Sequence, residues 1–95
     1  MVDFQIGQIV FSKRGRDKGA PFIILSMDNE YLYLADGKLR SHTKPKKKKI
    51  KHVQPTNTVS GAVTSAVDSG SLLDSDLRKA IKEFEDKEHV HLAKP

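Results

Sequence analysis

Cysteine is absent from this 95-residue chain, which excludes a disulfide framework, a thiolate nucleophile and a cysteine-ligated zinc site. No apolar run approaches the ~20 residues that span a bilayer. The N-terminus Met1-Val-Asp-Phe-Gln5 lacks the basic-then-apolar pattern of a secretion signal, so the expected address is cytoplasmic, without a membrane partner. Shortness sets a further limit, because a domain of this size buries only about 60% of the surface its unfolded chain exposes. A deep catalytic cavity is hard to carve from it. No nucleophile, placed base or metal constellation stands at a recognisable spacing, and Gly15-Arg-Asp-Lys-Gly19 lacks the Gly-Lys-Ser/Thr ending of a nucleotide-phosphate loop. His89 and His91 sit two apart without an acidic set beside them, a pattern expected of a solvated terminus. The expectation is a protein that is not an enzyme and takes no cofactor or metal.

What the chain does have is positive charge, unevenly placed. Its 17 Lys and Arg stand against 12 Asp and Glu, a net +5 with an isoelectric point near 9.6, which favours an anionic partner. Residues 1–55 hold 12 of the cations and five of the acids, a net +7, and the remainder is net −2. The basic surface therefore belongs to the first half.

Patterning predicts short strands in that half. Residues 8–12 are β-branched and aromatic, 21–27 form a continuous apolar run bounded by Pro21 and Asp28-Asn29, and 30–35 return as a partner strand. Asp28-Asn29 and Asp36-Gly37 are expected as two-residue hairpin turns, because these residue types tolerate positive φ. A short outer strand is expected over 38–43 and a last one over 50–53, ended by Pro55. Five short strands joined by tight turns predict a small barrel, since closure removes exposed edges.

Residues 56–71, rich in Ser, Thr, Gly, Val and Ala without a regular period, read as a flexible linker. From Leu72 the apolar positions Leu73, Leu77, Ala80, Ile81 and Phe84 recur at helical spacing, predicting an amphipathic helix over 72–88 with Asp74 or Ser75 as its N-cap. A lone helix of that length is marginal in water, so its stripe is expected to dock on the barrel, on a second copy or on a partner protein. Leu73, Leu77, Ile81 and Phe84 are the candidate partner-binding positions. Residues 89–95 are expected to be a disordered tail.

The chemistry concentrates in two segments. Lys13, Arg14, Arg16 and Lys18 project from a loop that Gly15 and Gly19 allow to bend, and each guanidinium can clamp a phosphate or stack on an unpaired base. Asp17 is expected to cap a backbone N–H in that loop or to orient Arg16. Lys44, Lys46, Lys47, Lys48, Lys49 and Lys51 form a run whose counterions are released on meeting a polyanion. The alternatives are a solvated hairpin loop and, for residues 46–49, a nuclear-localisation signal or a solvated charge run. Tyr31 and Tyr33 share one face of their strand, where they either stack bases or join the core. His42 and His52 are expected to assist RNA contacts as weak donors.

Gly7-Gln-Ile-Val-Phe-Ser-Lys-Arg-Gly-Arg-Asp-Lys-Gly19 and the strand that follows it, to about Tyr33, resemble the KOW motif of NusG-type transcription factors and several large-subunit ribosomal proteins. With Ala35-Asp-Gly-Lys-Leu-Arg40 and Lys44-Pro-Lys-Lys-Lys-Lys-Ile-Lys-His52, the chain is similar to small bacterial KOW-domain RNA-binding proteins over residues 5–55. That resemblance implies an SH3-like barrel over 1–55 and binding of RNA at the large ribosomal subunit; the expected RNA contacts are residues 13–19, Lys38, Arg40, the six lysines and His52. The competing expectations are a protein-interaction adaptor, which uses the barrel and the C-terminal helix, and a structural ribosomal protein proper.

Overall fold

Apolar side chains that alternate along Gln8–Ser12 and Pro21–Met27 can be buried on both faces of a sheet only if something covers each face. The computed structural model of the protein describes residues 4–93, with side chains to Lys87. Strands β1 (Gln8–Ser12), β2 (Pro21–Met27), β3 (Tyr31–Ala35), β4 (Lys46–Lys49) and β5 (Val53–Val59) form one antiparallel sheet in the order β4-β3-β2-β1-β5. Helices α1 (Gly61–Ser69) and α2 (Asp74–Ala93) follow. The body is small and mainly β.

The inner face packs Val10, Phe22, Ile24, Leu32, Leu34 and Val53 into one cluster. On the outer face Ile9, Ile23, Leu25 and Ala35 meet Val63 of α1 and Leu77, Ala80, Ile81 and Phe84 of α2. Each large aliphatic or aromatic side chain so buried contributes about 1.5–3 kcal/mol. Phe11 and Phe84 add a tilted ring contact at 5.8 Å.

A single 3-10 turn of three residues, Ile50–His52, joins β4 to β5, the two edge strands. Four residue steps span at most about 14 Å, whereas the edges of a flat five-stranded sheet lie about 19 Å apart. The sheet must therefore bend toward itself at this end.

Several expectations need correction. Residues 38–43 are not a strand: the Asp36 carboxylate accepts the N–H groups of Lys38 and Arg40, both at 2.9 Å, so a side chain captures the backbone groups a ladder would need. Asp36-Gly37 consequently makes no hairpin. The turn at Asp28 forms without positive φ, since only glycines adopt it among the described residues; Asp28 Oδ1 instead accepts Glu30 N and Tyr31 N. The fourth strand lies in the lysines themselves, and Ile50–His52 is a 3-10 turn. Pro55 does not end the last strand but sits within β5 opposite Val10, which an edge position tolerates because the missing N–H faces no neighbour.

The expected linker is largely structured. Residues 56–59 complete β5, and α1 follows, capped at its start by Ser60 Oγ accepting Val63 N and at its end by Gly70 in the left-handed region. The C-terminal helix starts at Asp74 and runs on through residue 93, so residues 89–93 of the expected tail have helical backbone, while 94 and 95 lie outside the described residues. Its stripe is consumed within the molecule: Leu77, Ile81 and Phe84 are buried under the sheet and only Leu73 is exposed.

Candidate nucleic-acid interface

The loop 13–19 leaves β1 and returns as β2, closed at its base by Gly19 N donating to Ser12 O at 2.8 Å. Lys13 N donates to His52 O at 2.8 Å, which ties the loop to the turn between β4 and β5. Gly15 holds φ +90°, a conformation that side-chain-bearing residues rarely adopt. Lys13, Arg14, Arg16 and Lys18 are all exposed and make no ion pair among the described residues.

Asp17 behaves differently from its expected role. Its carboxylate points out of the loop to β4, where it accepts from Lys46 Nζ and, at 3.1 Å, from Lys48 Nζ. Lys48 Nζ also donates to the Arg14 carbonyl at 2.5 Å. The Ser12 hydroxyl lies 2.8 Å from Asp17 Oδ1 and 2.9 Å from Arg14 O, with one proton to serve either. Burial opposes the charged carboxylate, but the hydrogen bonds from Lys46, Ser12 and Lys48 outweigh it and hold Asp17 far below the usual carboxylate range.

The strand pleat sorts the lysines of β4. Lys46 and Lys48 stand opposite Leu34 and Leu32 and so share the inner face. Lys48 is only 8% exposed; its stem covers the apolar interior and its ammonium reaches Asp17. Lys47 and Lys49 stand opposite Tyr33 and Tyr31 and are exposed. Lys47 Nζ sits 4.3 Å from the centre of the Tyr31 ring. Neither tyrosine joins a core cluster; both are half-buried, and the Tyr33 hydroxyl donates to Asp28 Oδ2 at 2.9 Å. That bond raises the phenol's proton affinity and lowers that of Asp28.

His52 marks where the two basic segments meet. Partial burial, then the fields of Arg14, Lys51, Lys48 and Lys49, push its imidazole below the ordinary range. The positive fields of the loop and of the lysine segment thus both act on one ring.

The remaining expected site residues lie elsewhere or apart. Lys44 is exposed before β4. Lys38 and Arg40 are exposed on the Asp36 turn, which α2 holds: Arg78 Nη1 donates to Gly37 O at 2.7 Å, and Asp74 accepts both the backbone N–H and the ring of His42 at 2.7 Å. Those His42 bonds depress the Asp74 carboxyl. A Cβ on Gly37 would collide with Asp74 O, so only glycine allows this approach. Lys38 lines a cleft of about 510 Å³ together with Ala20, Pro21, Arg78, Ile81 and Lys82 and with the acids Asp36, Glu85 and Asp86. His42 is therefore a structural partner of Asp74. Sequence reasoning missed Ser12, whose adjacency to a cationic loop was the available signal.

Among the described residues no helix is long and apolar enough to cross a membrane. No family model matches the chain, and no curated protein matches it in sequence.

Proposed function

We propose that the protein is a non-catalytic, cytoplasmic RNA-binding module whose bent sheet is an SH3-like barrel of the KOW kind. Its loop 13–19 and its lysine segment grip structured RNA, with large-subunit ribosomal RNA as the target suggested by the resemblance over residues 5–55. The observation that carries this reading is the stitching of the loop to β4 through Asp17, which sets two basic segments side by side while Lys13, Arg14, Arg16, Lys18, Lys49 and Lys51 stay exposed. Guanidinium groups suit bidentate phosphate contact and stacking on bases, and ammonium groups add affinity with little sequence preference.

The adaptor alternative draws no support from the stripe on α2, because Leu77, Ile81 and Phe84 already cover the sheet. Titrating ribosomal RNA at several salt concentrations tests the proposal. With four or five phosphate contacts, log K falls against log salt with a slope of about −2.8 to −3.5 on single-stranded RNA. Affinity that ignores salt defeats it. Crosslinking in cells, followed by sequencing of the captured fragments, tests the identity of the RNA; fragments concentrated outside large-subunit ribosomal RNA refute that assignment.

A further inference from the structure

An acid in the middle of a polyanion-binding surface opposes the ligand by charge, so what Asp17 contacts is informative. Its side chain is only 11% exposed. Its oxygens face Lys46, Lys48 and Ser12, so it presents little negative surface to a ligand. Lys48 is itself buried, so its ammonium presents little surface to phosphate. Lys46, its side chain 26% exposed, is the partner from which Asp17 withdraws outward-facing charge.

What it does is mechanical. The bonds to Lys46 and Lys48 cross 29 and 31 residues of sequence, fastening the loop to a strand at the far edge of the sheet. Lys48 at the same time holds the carbonyl of Arg14, and Ser12 closes the arrangement from β1. Backbone or side-chain groups at positions 12, 14 and 17 are thereby fixed around Gly15. A loop already ordered before binding loses less conformational freedom when a ligand arrives.

We propose that Asp17 is a positioning residue for RNA: it fixes Arg14 and Arg16 beside the Lys49–Lys51 segment, and removing its negative charge weakens the grip on a polyanion. This rests on the RNA-binding reading. Simple charge counting makes the opposite forecast, which gives the experiment its edge.

The full-length protein is titrated with polyuridylate and with ribosomal RNA, comparing Asp17→Asn with Glu30→Gln. Both changes remove one negative charge; Glu30 is exposed and makes no ion pair among the described residues. The expected result is an affinity about three- to tenfold weaker for Asp17→Asn and an affinity equal to or tighter than wild type for Glu30→Gln. Tighter binding by Asp17→Asn overturns the proposal. Amide hydrogen exchange supplies a readout without RNA: Lys18 N and Ala20 N, bonded to Gly15 O and Asp17 O, should exchange at least about tenfold faster in Asp17→Asn. Unchanged exchange also overturns it. Wild-type protein that binds neither RNA defeats the RNA reading, while the exchange result still decides whether Asp17 orders the loop. Should Asp17→Asn fail to fold, Lys46→Gln, which leaves Asp17 paired with Lys48, is compared with Lys49→Gln. The first is expected to weaken RNA binding with the salt slope unchanged, the second to flatten the slope by about 0.7; an affinity for Lys46→Gln equal to wild type, or a slope flattened by that change, overturns the proposal.

Discussion

Lys46 and Lys48 on one side of β4 and Lys47 and Lys49 on the other are chemically identical, yet they do different work. The inward pair closes an internal ion network over apolar side chains, and the outward pair faces solvent. A period of two residues along an extended backbone is enough to divide them. Counting charge along a sequence therefore overstates how much of it a partner can meet, because pairing inside the fold removes part of it from view.

The largest test of this division is stability. Lys48→Ala leaves a mostly buried carboxylate with one ammonium partner fewer, and the expected cost is about 2–3 kcal/mol, below the range for a fully buried pair because Lys46 remains. Lys47→Ala should stay within about 1 kcal/mol. Urea unfolding midpoints compare them, and matching midpoints would erase the distinction between the two sides.

RNA binding should invert that order. Arg14→Ala with Arg16→Ala, and separately Lys49→Ala, should lower affinity and flatten the salt slope by about 0.7 for each phosphate no longer neutralised. Lys46→Ala should leave the slope alone. A slope that responds equally to Lys46 and Lys49 would mean that the inward lysines also reach the ligand.

Acid sharpens the contrast further. The Asp17 carboxyl lies below its unfolded value of about 3.9, so the stability it contributes is complete above that value and is lost as pH falls toward the folded one. Asp17→Asn should flatten this acid limb in a pH series of unfolding midpoints; parallel losses in variant and wild type would show that other groups carry it. A smaller effect belongs to His52, also depressed. Its contribution is present above the unfolded value of about 6.5 and is lost as pH falls below it, and His52→Gln should remove that step. Bound RNA should raise the imidazole pKa, a shift that NMR titration of its ring protons detects.

The first three strands were legible because β-branched and aromatic residues alternate or run together between turn residues, as in Gln8–Ser12 and Pro21–Met27. The fourth was hidden because lysine has poor strand propensity, and pairing with β3 together with Asp17 on a distant loop makes a strand of it. Helix α1 escaped for a related reason. Only Val63 of its residues is fully buried, leaving the Ser60 and Gly70 caps as its main signature. The cations of the candidate interface were readable as residues, but their division into inward and outward sets depends on register, which long-range pairing decides.

The β1–β5 partnership carries a kinetic consequence. β1, β2 and β3 are neighbours in both sequence and space, so their hairpins close quickly, whereas Val53 must return across 41 residues to reach Ser12. Loop-closure entropy delays that pairing. Until it forms, one flank of β1 offers unsatisfied amides and carbonyls to any extended segment nearby. A nascent or truncated chain that stops before Val53 is therefore the species most prone to aggregate.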